Sequence, residues 1–228
     1  MLKNATMKVV IVPSLSWRND MGRSSASYGR GKPTLKPQPT VLVICEDTKS
    51  SKNYLNDAKV FYRVNADVEV LHAGKTNPLG IVNYALERQR HYNNVFCVID
   101  RDTHEDFDQA MDLAQSSERL SMIVSYPCFE YWLLLHFKYS RKAYARTGKK
   151  SPGDQMLKAL KECETMENYE KGGSIGLFDR LSGEPLAIAK KNAARSLAAA
   201  VAEKENNPST TLHELLKAFE ELAKPKRA

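Results

Sequence analysis

The first sustained apolar block is Val41-Leu42-Val43-Ile44-Cys45, which runs without a break into the charged Glu46. A run of this length suits a strand buried on both faces of a parallel sheet. Ser50 or Ser51 stands where a cap would start a helix through about Arg63. Polarity then alternates from Ala66 to His72 around Val68 and Val70, the period of a second strand. The loop Gly74-Lys75-Thr76-Asn77 leads to Pro78, a favoured first helical residue, and a helix to about His91. Asn94 to Ile99 is a third apolar run, ending at Asp100, and a polar helix covers roughly Glu105 to Ser117. Ser121 to Ser125 carries Met122-Ile123-Val124 as a fourth strand, and Cys128 to Phe137 reads as a buried helix. The alternation predicts an α/β fold with a mostly parallel four-stranded sheet flanked by helices on both faces.

Beyond Lys138 the pattern predicts helices only, over Pro152 to Cys163, Glu184 to Lys204 and Thr210 to Ala223. Asn207-Pro208-Ser209-Thr210 reads as a stop and cap between the last two. Residues 14–39 are rich in Ser, Gly, Pro and Arg, the composition of a loosely held arm. The expected organisation is a basic, largely disordered arm over 1–39, an α/β core over 40–140 and a helical C-terminal extension over 141–228. Composition changes abruptly at Met21-Gly22-Arg23, which raises the question whether Met1 to Asp20 belongs to the native product; intact mass of the natively expressed protein decides it.

Charge adds a partner class. The net charge of +7 is concentrated in the arm, where Lys3, Lys8, Arg18, Arg23, Arg30, Lys32 and Lys36 face Asp20 alone. Such an arm serves a polyanionic partner or simply solubility, and composition does not separate the two. Lys138 to Lys150 interleaves Tyr139, Arg141, Lys142, Tyr144 and Arg146, a pattern that suits nucleic-acid contact or a solvated loop equally. No apolar run approaches the roughly 20 residues of a membrane helix, and the expected location is cytoplasmic. Cys45, Cys97, Cys128 and Cys163 are widely spaced, so buried thiols are expected rather than disulfides or a zinc site.

Candidate chemistry gathers where strands end. In a parallel sheet, sites form at the carboxyl ends of strands, and those ends carry Glu46 and Asp100-Arg101-Asp102. Carboxylates at i and i+2 of an extended chain project to one side. Hard oxygen ligands of this kind suit Mg²⁺ or Mn²⁺, which polarise phosphate oxygens and activate a water nucleophile. An acidic loop after a strand is also common without any metal.

Several segments resemble the RloB family, a Toprim-related group linked to bacterial restriction and anti-phage loci. They are the basic arm, VLVICED (41–47) with NYL (53–55), GKTNP (74–78), VIDRDTH (98–104) and above all YPCFEYWLLLHF (126–137), with NPSTTLHELL (207–216) later. The resemblance implies a Toprim-like fold in which Glu46, Asp100 and Asp102 bind the metal, with Glu130 and His136 supporting the site. The family pattern has Gly after the first Glu and a further Glu a few residues on; Asp47 and Ser51 stand there in this chain. Asp47 is then either an extra ligand or a crowding of the turn, and Ser51 removes a ligand for a second metal.

The remaining polar candidates carry competing readings. His104 contacts phosphate, transfers a proton, or is a surface loop histidine. Glu130, inside an apolar segment, calls for a partner or a ligand, whereas His136 fits a structural hydrogen bond as well as a site. Lys49 is a candidate for neutralising transition-state charge; Lys52 and Lys75 are weaker ones. The expected function is a divalent-metal-dependent nuclease acting on tRNA or DNA in anti-phage defence, with catalytic residues Glu46, Asp100, Asp102, Glu130, His104 and Lys49. The resemblance implies an ABC-type or SMC-like ATPase encoded nearby as the partner. The alternative is a non-catalytic adaptor that binds nucleic acid or the ATPase.

Overall fold

The computed structural model describes residues 39–64, 67–101, 104–173 and 176–224. The basic arm, with Met1 to Asp20, and the expected ligand Asp102 lie outside the described residues.

Strand β1 (Thr40–Cys45) is followed by α1 (Ser50–Phe61), β2 (Asp67–His72), α2 (Pro78–Arg88) and a 3₁₀ turn (Gln89–His91). Then come β3 (Asn94–Asp100), α3 (Phe107–Ala114), β4 (Leu120–Tyr126) and the short α4 (Glu130–Leu134). The second half contains α5 (Pro152–Lys161), α6 (Leu177–Arg180), α7 (Glu184–Glu203), β5 (Ser209–Thr210) and α8 (Leu212–Ala223). The sheet order is β2-β1-β3-β4-β5. The first four strands are parallel neighbours, and β5 pairs antiparallel with β4 through Ser125↔Thr210 and Tyr126↔Ser209.

The sheet therefore has five strands where the hydrophobic pattern predicts four. The fifth comes from the segment expected to act only as a stop and cap. Two residues are too few to show an alternation, and their pairing partner lies 85 positions away. Ser125 Oγ and Thr210 Oγ1 are hydrogen-bonded across the pair at 2.9 Å, and Val124 N donates to Thr211 Oγ1 at 2.9 Å.

Alternate residues of each strand feed two cores. Val41, Val43, Cys45, Phe96, Val98 and Ile123 meet one set of helices; Leu42, Ile44, Val95, Cys97, Ile99, Met122 and Val124 meet α2 and α3. The first core also takes Leu186, Ala189, Ala193, Leu212, Leu215, Leu216 and Phe219 from α7 and α8. The helical segment after 140 is thus built into the sheet's own core. The expected helix over Cys128 to Phe137 is regular only from Glu130 to Leu134, with single turns on either side. All four cysteines are free and buried, as their apolar surroundings lead one to expect. Burial pushes the Cys97 thiol up to about 12, which leaves it protonated and unreactive. No helix among the described residues is long and apolar enough to cross a membrane.

Candidate functional site

Parallel pairing sets the site. Register aligns Cys45 with Val98 and Asp100 with Ser125, so β1, β3 and β4 end side by side. The ladder continues one residue further, with Glu46 N donating to Val98 O at 3.0 Å and Arg101 N to Ser125 O at 2.9 Å. Glu46 consequently hangs over the end of β3. Its Oε2 accepts from Asp100 N at 2.9 Å, and its Oε1 lies 2.8 Å from His104 Nε2. Arg101 Nη1 donates to His104 O at 3.2 Å, while its guanidinium sits 4.5 Å over the Phe107 ring. Glu46, Asp100 and His104 therefore meet because β1 and β3 are neighbours in the sheet.

Glu130 joins them from the first turn of α4. It is only 2% exposed. Its Oε1 accepts from Tyr169 Oη at 3.4 Å, and Lys171 Nζ stands 3.7 Å from Oε2. Oε2 itself is buried without a hydrogen-bond partner. Burial, and then the negative charges of Glu130, Glu46 and Asp47, hold the Asp100 carboxyl well above the usual carboxylate range; Lys171 opposes this. The site gathers acids from strand and helix ends, and Lys171 answers them from the loop after α5.

Asp47 is engaged at the start of α1. Its Oδ1 accepts from Lys49 N at 2.7 Å, and its Oδ2 from Ser51 N at 2.9 Å and from Ser51 Oγ. From two residues before the N-cap Lys49 it accepts from the first turn of α1, where Ser50 or Ser51 was the expected cap, and Ser51 is one of its donors. The spacing of an Asp four residues before a Ser at a helix start was the available signal. Lys49 is exposed, and its stem lies against Gly172: a Cβ built there would stand 2.7 Å from Lys49 Cδ. Gly172 has φ +90°, a conformation that a side chain would strain. Lys52 is half-buried on α1, and Lys75 is exposed in the loop before α2.

His136 is not part of the site. Its Nδ1 donates toward Trp132 O at 3.1 Å and Leu133 O at 3.2 Å, leaving Nε2 to accept from Tyr54 Oη at 3.4 Å. Burial lowers its pKa to about 4, so the ring is neutral in the fold. In the interleaved segment after Lys138, Tyr139, Arg141 and Tyr144 are engaged internally. Arg141 donates to Glu203 Oε2 at 2.7 Å, to Glu205 O at 2.8 Å and to Pro208 O. Tyr139 lies under the Arg195 guanidinium at 3.9 Å, and Tyr144 is buried. Lys142 and Arg146 are exposed.

Pattern reading missed Tyr169 and Lys171. Their loop is pinned to α1 by Gly172 N donating to Ser50 Oγ at 3.0 Å, a contact spanning 122 positions that no local pattern announces. The loop's Gly172-Gly173 pair signals a turn but not its destination.

Among the described residues, no three His, Cys, Asp or Glu side chains stand grouped to hold a metal ion. The donor chemistry nevertheless fits a hard divalent cation. A carboxylate has about four lone-pair directions, so Glu46 can keep both present bonds and still ligate. The unsatisfied, buried Glu130 Oε2 and the strained ionisation of Asp100 are what a cation would relieve. No curated protein and no solved structure matches the chain. A family model described as RloB-like protein matches residues 41–219, most of the chain, which therefore belongs to the RloB-like family.

Proposed function

We propose that this protein is a divalent-metal-dependent nuclease with a Toprim-like core, cleaving phosphodiesters of tRNA or DNA in the cytoplasm as part of an anti-phage response. The observation that carries the reading is the convergence of Glu46 and Asp100 at the carboxyl ends of β1 and β3 with the buried Glu130, whose Oε2 has no hydrogen-bond partner. The defence setting and the ATPase partner are part of the proposal, carried over from what the resemblance to the RloB family implies. Glu46, Asp100 and, from its place after β3, Asp102 would hold Mg²⁺ or Mn²⁺. When bound, the ion would supply charge neutralisation on phosphate oxygens and an acidified water.

The chain's own groups do the rest. Glu46 orients His104 through the 2.8 Å contact and fixes the end of β3 through Asp100 N. His104 Nε2, held beside Glu46, would be the atom to take up or return a proton. Lys171, half-exposed beside Glu130, is placed to turn from that carboxylate to a phosphate oxygen. Lys49, across Gly172 from the same loop, adds positive charge at the rim.

The test is cleavage of labelled tRNA and DNA with Mg²⁺ or Mn²⁺, with and without the ATPase. Activity is expected from the parent and not from Asp100→Ala; persistence in the variant would sink the assignment. One observation favours an adaptor instead. Both Glu46 oxygens are engaged internally and Asp47 is consumed by capping α1. Calorimetric titration separates the two, since an adaptor takes up no more metal than Asp100→Ala does.

A further inference from the structure

A cleft of about 320 Å³ opens beside the acid cluster, on its β4 side. Arg101 and Tyr126 line its near wall. Arg101 follows Asp100 directly, and Tyr126 follows Ser125, the register partner of Asp100. Tyr144, Lys204, Asn206 and Asn207 form the far wall. The volume falls at the low end of small-ligand sites, about 300–1,000 Å³, which suits one planar group with its attached phosphate rather than a larger cofactor.

The lining has a consistent chemistry. Tyr126 is partly buried, with its ring 6.0 Å from that of Phe107, and Asn206 hydrogen-bonds its phenol oxygen. Burial pushes this phenol up to about 12, so it stays neutral at physiological pH. Asn207 is a support: its Oδ1 accepts from Tyr144 N at 3.2 Å and its Nδ2 donates to Tyr144 O at 2.7 Å, which fixes the opposite wall. Arg101 is already oriented by Phe107 and His104 O. Lys204 ends α7 with φ +54°, a left-handed conformation in which lysine is uncommon. Glu205 also lines the cleft, and its carboxylate is engaged by Asn207 N, which donates to it at 2.8 Å. The cleft thus combines a stacking ring, a carboxamide, the Arg101 guanidinium one residue from Asp100, and Lys204 on the opposite wall.

We propose that this cleft holds a single unpaired nucleotide of the substrate, with its base on Tyr126 and Asn206 and its phosphate between Arg101 and Lys204. The assignment rests on the nuclease reading for its choice of ligand, and it narrows the substrate to nucleic acid that is single-stranded at the bound nucleotide. A base in a duplex is stacked and paired, and it cannot enter a one-nucleotide cleft without being extruded. Base–aromatic stacking tolerates any sequence, so selectivity would come from strandedness rather than from base identity.

The experiment uses the full chain carrying Asp100→Asn, so that binding is read without cleavage. The probe is an oligonucleotide of about 12 nucleotides with a central 2-aminopurine, made as RNA and as DNA, each single-stranded and annealed to its complement. Single strands are expected to bind at least tenfold more tightly than duplexes by anisotropy, with a change in 2-aminopurine emission. Tyr126→Leu is expected to weaken binding about tenfold and to abolish the emission change. Lys204→Asn removes the charge while Asn accepts the left-handed conformation more readily than Lys. It should leave the thermal midpoint unchanged or raised and still weaken binding severalfold, which separates lost contact from lost folding. The comparison of RNA with DNA assigns the sugar. Equal affinity for duplex and single strand, unchanged affinity in both variants, or no binding of any oligonucleotide would overturn the proposal. If the parent cleaves nothing but the variants lose binding, the cleft stands and the nuclease reading fails. If the cleft variants bind and cleave as the parent does, the cleft fails and the nuclease reading stands.

Discussion

Replacing Asp100 with Asn should stabilise the metal-free protein and remove its response to divalent cations. Asp100 is held above its ordinary ionisation range first by burial and then by Glu130, Glu46 and Asp47. Two like charges about 6–8 Å apart, at an effective dielectric of about 20, repel by about 2–3 kcal/mol. Asparagine keeps the shape and removes the charge, so the expected gain is on the order of 2 kcal/mol. For a domain of about 150–250 residues that raises the melting midpoint by roughly 4–8 °C. The sign with pH follows from the raised carboxyl. Its folded value exceeds its unfolded value, so its favourable contribution is complete below the ordinary 3.8 and is lost as pH rises through the folded value. The gap between Asp100→Asn and the parent should therefore widen from acid toward neutral pH. In the parent, a cation at about 100 times its dissociation constant adds about 2.7 kcal/mol, or roughly 5–10 °C. Thermal denaturation in chelator and in Mg²⁺ or Mn²⁺, at several pH values, reads all three effects. A variant that melts below the parent in chelator, or that keeps the full metal increment, would refute the electrostatic account of the site.

Asp47→Ala should cost about 1 kcal/mol through loss of the α1 cap while leaving the metal increment intact; urea denaturation and the same thermal shifts check this, and a lost increment would make Asp47 a ligand after all. Histidine 136 is neutral in the fold with a pKa near 4, against an ordinary 6.5, so the unfolded chain takes up its proton first as pH falls. Stability from this group is full above about 6.5 and declines by up to about 3 kcal/mol toward pH 4. His213 shifts in the same direction, so His136→Phe should flatten the urea-derived pH profile only in part; an unaltered profile would contradict the assignment. Phe219→Ala on α8 should cost about 3–5 kcal/mol, because the ring is fully buried in the core shared with β1, β3 and β4. A loss below 1 kcal/mol would show that the C-terminal helices do not stabilise the sheet.

The legible part of this protein was the part governed by short periods. Unbroken apolar runs at Val41–Cys45 and Val95–Ile99 mark strands covered on both faces, and the structure bears this out. The rule that parallel strands end on one edge then brought Glu46 and Asp100 together from positions 54 apart. Glu130 stood out because a carboxylate in an apolar segment needs a reason, and its burial next to Asp100 supplies one. Three helices of the second half, α5, α7 and α8, were legible as helices, whereas the four-residue α6 was too short to show a pattern.

What tertiary structure decided were the contacts between segments whose own patterns are silent about each other. A two-residue strand has no period, so β5 exists only because Ser209 and Thr210 find the open edge of β4. The carboxylate of Asp47 was committed to α1 by the turn that follows β1, not by its residue type. His136 was turned into the core by the direction of a short helix, toward Tyr54 from α1. Lys171 and Tyr169 reached Glu130 because their loop is tied down on α1 through Ser50 and Gly172. Local sequence determines which stretches become strands and helices and which strand ends carry acids, since those depend on burial period and propensity over a few residues. The company each acid keeps, and so its charge state and its use, depends on long-range packing that only the folded chain creates.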